Sequence, residues 1–135
     1  MQGENAPKGL AARLREGTAE AHKHAERAAF IKRFFQGQLK RDEYAAFLSA
    51  LYPVYAAMEA ALAALRDHPV VGPFFMPEMF RCRELADDIR VFVGPAWRPS
   101  QVTGAGSRAF AARVSEVAGH DPPLLLAHVY TRYLG

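Results

Sequence analysis

Residues 14–26 read Leu-Arg-Glu-Gly-Thr-Ala-Glu-Ala-His-Lys-His-Ala-Glu, and this stretch has the apolar spacing of an amphipathic helix. His22 projects from the apolar side of that helix. His24 comes two residues later, about 200° further round, and should face water. The stripe that defines the apolar side consists of small or apolar residues at helical intervals: Leu10, Leu14, Gly17, Ala21 and Ala25.

His22 is the candidate metal ligand of the chain. Glu26 follows it by four residues, one helical turn, so its carboxylate can hold the imidazole in a single tautomer. A lone histidine on an apolar face is also commonly a buried core residue with a satisfied hydrogen bond. The spacing alone leaves both interpretations open.

Composition and charge limit the classes of protein to which this chain can belong. The chain has 135 residues, 50% of them hydrophobic and 23% charged, which is typical of one globular domain spanning residues 1–135. The net charge is only +3 and no basic run occurs, so nucleic acid is not expected as a partner. The single cysteine, Cys82, excludes an internal disulfide or a zinc motif and favours the cytoplasm. We expect no signal peptide and no membrane segment, and residues 1–8 should form a flexible tail.

The spacing of apolar residues, glycines and prolines predicts an all-α fold. Asp42 and Asp121 are candidate N-caps, Gly37 is a candidate helix end, and Pro53 should kink a long helix. Pro77 should open a helix that Gly94 and the proline after it close. The predicted helices cover residues 9–26, 28–36, 42–67, 77–93, 107–118 and 124–135.

The final segment, residues 124–135, is richly apolar and aromatic, as a central helix would be. A central helix needs neighbours on several sides, and nothing follows this one in the sequence. We therefore expect a chain that lacks its C-terminal helices. A dimer formed through the exposed apolar faces is the alternative source of cover.

Four segments together resemble the haem oxygenase family. Residues 14–26 are similar to its proximal-helix pattern, Leu-(Lys/Arg)-Glu-x-Thr-x-x-x-His-x-x-Ala-Glu, and residues 125–135 to its distal-helix opening, Leu-Leu-x-Ala-His-x-Tyr-Thr-Arg-Tyr-Leu-Gly. Residues 51–59 resemble the family's Leu-Tyr-x-x-Tyr-x-x-(Leu/Met)-Glu helix, and residues 77–97 its Pro-Glu…Phe-x-x-Gly-Pro-x-Trp segment. The four lie in the family's order over nearly the whole chain.

The resemblance implies how one side of a haem would be held. His22 would be the iron ligand, and Glu26 would hold its other ring nitrogen. Arg15 and Tyr130 match positions that meet the haem propionates, and Phe34 matches an aromatic position that lines the pocket. Considered without the resemblance, Phe34 would be interpreted as a core aromatic and Arg15 as a surface charge.

The resemblance also implies a catalytic side, on which Gly135 would let backbone approach the iron-bound oxygen. Tyr55 and Arg132 match a polar network that orders water and delivers protons, although a core aromatic and a surface charge are their simpler interpretations. The implied reaction opens haem to biliverdin and releases carbon monoxide and ferrous iron. Haem would be substrate and cofactor, O₂ the oxidant, and an NADPH-dependent reductase or ferredoxin the electron donor.

Two departures from the family pattern leave other functions open. Phe110 stands where many members have tyrosine, and the family continues past the last glycine with Asp-Leu-Ser-Gly-Gly and further helices. We therefore expect a chain that keeps the proximal half of the site and lacks much of the catalytic half. A haem-sequestering protein or inactive fragment without turnover is one alternative. A helical interaction module that binds no haem, with His22 in its core, is another.

Overall fold

The computed structural model describes residues 9–134, and every regular element in this range is helical, which confirms the predicted all-α class. Short 3₁₀ turns at residues 72–74, 77–79, 99–101 and 122–124 connect the longer helices. The six α-helices are α1 (Leu10–Arg27), α2 (Ala29–Phe35), α3 (Arg41–Ala64), α4 (Cys82–Val93), α5 (Ala105–His120) and α6 (Leu125–Tyr133).

The predicted N-cap of α3 and the predicted start of α4 are wrong. Lys40, not Asp42, precedes α3, and the Glu43 carboxylate accepts a hydrogen bond of 2.8 Å from the Lys40 amide. Pro77 opens only a 3₁₀ turn, because the chain is extended at Phe80 before α4 begins. Asp121 does precede a helical turn as predicted, but its side chain makes no capping hydrogen bond.

Gly37 ends α2 as predicted and fixes the position of the aromatic residues before it. Its φ of 67° lies in the left-handed region, which glycine adopts without a steric penalty. The Gly37 amide donates to the Phe34 carbonyl at 3.0 Å, and the Gln38 amide donates to the Arg33 carbonyl at 2.8 Å. These two bonds form a Schellman motif, so the Arg33 and Phe34 carbonyls of the last turn are satisfied.

The described residues form two compact units that divide between Leu39 and Lys40. The first contains α1 and α2, and neither helix has a buried residue. The second contains α3 to α6 around two apolar clusters on α3. One cluster joins α3 to α5 and α6, and the other joins α3 to α4 and Trp97. The largest fully buried side chains are Met58, Leu62, Ile89, Leu125, Val71 and Val114.

Helix α3 is the central helix of the second unit. Among the described residues it alone is long and apolar enough to cross a membrane, and the core helix of a soluble protein meets the same criteria. It packs against α4, α5 and α6, and five of its residues are buried. We therefore interpret α3 as a core helix. It continues through Pro53, whose missing amide hydrogen leaves the Ser49 carbonyl without its helical donor.

Candidate functional site

On α1, His22 and Glu26 form the pair that their spacing predicts. His22 Nδ1 lies 3.2 Å from Glu26 Oε1, and the two side chains are 75% and 66% exposed. A carboxylate only accepts hydrogen bonds, so in the neutral imidazole the proton belongs on Nδ1 and the lone pair on Nε2. The pair therefore presents a ring nitrogen able to bind a metal, in one tautomer. His22 is not buried among the described residues, so its interpretation as a core histidine has no support.

Other predicted residues of the first unit lie on exposed surface. Arg15 and His24 are exposed, the latter as predicted from its place on the helix. Phe34 is 39% exposed; its ring stacks on Phe30 at 6.5 Å and meets Phe35 edge-to-face at 5.6 Å. A basic group, the candidate ligand histidine and an exposed aromatic cluster are thus all present on α1 and α2.

No group of three or more His, Cys, Asp or Glu side chains that could hold a metal occurs between residues 9 and 134. A metal bound to His22 would therefore receive at most two such ligands from these residues. A bare divalent ion needs several protein ligands, as in zinc or calcium sites. The donor set fits a metal that brings most of its ligands with it.

In the second unit, the structure brings Tyr55 and Arg132 together. The Tyr55 hydroxyl donates a hydrogen bond of 3.1 Å to the backbone carbonyl of Arg132. The tyrosine ring is half-buried and packs against both apolar clusters. Tyr55 is therefore a core aromatic that also has a polar partner, so its two interpretations do not exclude each other.

Arg132 is half-buried. Without the family resemblance, the sequence would favour an exposed surface charge at this position. Its guanidinium carbon lies 5.5 Å from the centre of the Phe110 ring, a cation–π arrangement. The same ring meets His128 edge-to-face at 5.4 Å. Within the described part of the chain Arg132 Nε is buried and has no hydrogen-bond partner. Phe110, the departure noted in the sequence, thus supports the arginine through its ring face.

Tyr130 is 63% exposed and lies at the rim of an apolar groove in the second unit. Tyr133 and Leu134 also line this groove, together with Phe74 and Met76 from the segment before α4. Among the described residues, Tyr130 makes no hydrogen bond with Tyr55 or Arg132. Its predicted role in binding a haem propionate remains a prediction. Gly135 lies outside the described residues, and its predicted role also remains a prediction.

The sequence pattern did not predict a role for Glu59, which is the last residue of the motif in residues 51–59. Glu59 Oε1 accepts hydrogen bonds from the amides of Arg81 (2.6 Å) and Cys82 (3.1 Å) and from the Tyr133 hydroxyl (3.2 Å). Burial and the Glu59 carboxylate raise the pKa of the Cys82 thiol to about 12, and the same two causes raise the pKa of Tyr133. The signal in the sequence that could have indicated this role is the position of Glu59, one helical turn after Tyr55.

Known proteins similar to this chain point to one family. A sequence model described as "Heme oxygenase" matches residues 8–135. Heme oxygenase 1 of Synechocystis sp. PCC 6803 is 40% identical over 93% of this chain and 52% of that protein, and heme oxygenase 1 of Bos taurus is 35% identical over 96% of this chain and 45% of that protein.

Solved structures agree with the sequence matches. The crystal structure of the Synechocystis heme oxygenase-1 in complex with heme has a TM-score of 0.83 at 40% identity, covering 95% of this chain and 58% of that one. The heme oxygenase structure from Leptospira interrogans has a TM-score of 0.84 at 38% identity, covering 95% of this chain and 62% of that one.

The all-α fold and the matched residues define a helical protein of the haem oxygenase class, as the four motifs predicted. The chain belongs to the haem oxygenase family. It spans about half the length of the curated relatives that it matches.

Proposed function

We propose that this protein is a haem oxygenase, which uses O₂ and external electrons to open the haem ring to biliverdin, carbon monoxide and ferrous iron. The observation that carries the proposal is the exposed His22–Glu26 pair, at 3.2 Å, on the helix that bears the family's histidine motif. The family match over residues 8–135 supplies the context for that pair.

The residues present fit haem. Its porphyrin supplies most of the iron's ligands, so one neutral imidazole from the protein is the donor that the iron requires. The Glu26 carboxylate leaves His22 Nε2 for that role. Leu14 and Phe34, 57% and 39% exposed, add apolar surface of the kind on which a flat macrocycle packs. When bound, haem supplies both the carbon skeleton that is oxidised and the iron that activates O₂.

Two side chains are proposed to orient haem through its carboxylates. The Arg15 guanidinium is a permanent cation able to pair with a propionate, and it lies seven residues, two helical turns, before His22. The Tyr130 hydroxyl is exposed and able to donate to a second carboxylate oxygen. Orientation matters because the position at which the ring opens depends on which of its edges faces the oxidant.

Tyr55, Arg132 and Gly135 are proposed for the catalytic side. The hydroxyl of Tyr55 and the guanidinium of Arg132 would order the water through which protons pass, and both residues stand where α3 meets α6. The Arg132 carbonyl accepts a hydrogen bond from the Tyr55 hydroxyl, so the two residues are already linked. Gly135 would leave room for bound O₂ beside the backbone.

Several partners and a location belong to the same proposal. The reaction consumes electrons that no residue of the chain supplies, so an NADPH-dependent reductase or a ferredoxin would deliver them.

A reduced Cys82 fits a cytoplasmic location, and fractionation tests that placement. The apolar groove beside Tyr130 is the surface on which a dimer would form, and a monomer mass at every protein concentration in sedimentation would contradict the dimer.

The test is a single-turnover reaction of the haem-loaded protein with ferredoxin and its NADPH-dependent reductase, in which absorbance follows biliverdin and carbon monoxide. One equivalent of biliverdin per haem supports the proposed oxygenase. Haem that is bound through His22 but never opened would contradict the oxygenase and establish the sequestering alternative. Absence of haem binding would leave the helical interaction module.

A further inference from the structure

Glu59 occupies a position that neither the predicted site nor the proposed reaction uses. A single carboxylate oxygen, Oε1, accepts from two backbone amides that precede or begin α4 and from the Tyr133 hydroxyl on α6. Its own backbone belongs to α3. One side chain therefore links three helices.

The amide bonds explain how α4 begins. No side chain of the residue before α4 caps that helix, and the first amides of a helix have no partner within it. Glu59 satisfies two amides there, those of Arg81 and Cys82, from 22 and 23 positions away in the sequence. A carboxylate at this end also complements the helix dipole.

The third bond reaches the residues proposed for proton delivery. Tyr133 follows Arg132 directly, and its ring meets Tyr55 edge-to-face at 5.4 Å. Tyr55 and Glu59 stand one turn apart on α3, and both hold α6: one binds the carbonyl of Arg132, the other the hydroxyl of Tyr133. Among the hydrogen bonds of the described residues, loss of either one leaves a single bond between α6 and α3, beside the apolar cluster.

We propose that Glu59 is a positioning residue that holds α6, and with it Arg132, in register against Tyr55. Glu59 does not need to contact haem; it acts through Tyr133 and through the start of α4. The proton-delivery part of this role rests on the proposed function, whereas the effect on α6 does not. Burial and the Glu59 charge also raise the pKa of Tyr133, in keeping with a hydroxyl that donates to the carboxylate.

The test compares hydrogen exchange of the α6 amides in haem-free protein. Glu59→Leu removes the acceptor and should accelerate exchange in α6 by about tenfold. Glu59→Gln keeps a carbonyl oxygen at the same reach and should restore exchange to within about twofold of the parent protein. Glu84→Leu is the matched control, since Glu84 is an exposed glutamate of α4. It should leave α6 unchanged.

Tyr133→Phe separates the two functions of the carboxylate and keeps the test decisive if Glu59→Leu fails to fold. It removes one hydroxyl, so α6 should exchange faster while α4 keeps the parent rate. Unchanged α6 exchange in Tyr133→Phe, or failure of Glu59→Gln to restore it, would overturn the proposal.

The reaction gives a second, separate readout. In haem-loaded protein, Glu59→Leu should slow biliverdin formation about tenfold while haem affinity stays nearly constant, with recovery in Glu59→Gln. A parent protein that makes no biliverdin would refute the proposed function, and the exchange experiment would still decide whether Glu59 holds α6. Faster α6 exchange with an unchanged reaction rate would refute the link to proton delivery.

Discussion

The Tyr55 hydroxyl donates a hydrogen bond of 3.1 Å to the Arg132 carbonyl, joining α3 and α6 across 77 positions of the sequence. Tyr55→Phe removes this donor and leaves a half-buried carbonyl unpaired, so the free energy of unfolding should fall by about 1 kcal/mol. Urea unfolding measures the change. Tyr52→Phe is the matched control, because that ring packs on Trp97 and its hydroxyl makes no hydrogen bond to α6 among those of the described residues. Equal losses in the two variants would contradict a specific role for the Tyr55 bond.

Gly37 provides a second prediction about stability. Gly37→Ala places a Cβ at φ 67°, where a side chain is strained, and should destabilise the end of α2 by about 1 kcal/mol. Gly17→Ala should act in the opposite direction, because Gly17 lies within α1 and a Cβ there meets nothing within 4 Å. Thermal unfolding of the two variants should shift in opposite directions. A shift of the same sign in both would refute the strain argument.

The Cys82 thiol should react slowly with iodoacetamide. A pKa raised from 9.0 to about 12 by burial and by Glu59 leaves roughly a thousand times less thiolate near pH 8 than a free cysteine has. Glu59→Gln removes the negative charge and should accelerate alkylation, although burial, the larger cause, persists. Mass spectrometry of the alkylated peptide gives the rates. Alkylation as fast as that of a free cysteine would contradict the raised pKa.

The same groups predict a loss of stability in alkali. The folded-state pKa values of Cys82 and Tyr133 exceed their ordinary values of 9.0 and 10.0, so the folded protein keeps protons that the unfolded chain releases. This contribution is complete below about pH 9 and is lost as the pH rises toward the folded-state values. The free energy of unfolding should therefore fall above about pH 9. The double variant Cys82→Ser, Tyr133→Phe should show a shallower fall, and identical slopes would contradict the assignment.

Sequence patterns predicted the features that depend on neighbours along the chain. The His22–Glu26 pair lies one turn apart on a single helix, and Gly37 ends α2 through bonds within six residues. Both follow from local geometry, so periodicity and residue type suffice to predict them. The same is true of the all-α class.

The sequence patterns were weakest where distant segments meet. The start of α4 depends on Glu59, more than twenty positions away, so a proline at 77 was mistaken for the helix start. The support that Phe110 gives Arg132 also joins two helices, and no spacing rule reveals it. Tertiary contacts of this kind are absent from a local pattern, which is why the role of Glu59 emerged only from the structure.

The central claim, that His22 binds haem iron, is tested most directly by titrating haem into the parent protein, His22→Ala and His24→Ala while recording the Soret band. The parent and His24→Ala should bind one haem with the same spectrum, since His24 is an exposed histidine two positions away on the same helix. His22→Ala should lose that spectrum, and added imidazole should restore it by supplying the missing nitrogen. An unchanged Soret band and affinity in His22→Ala would contradict the account.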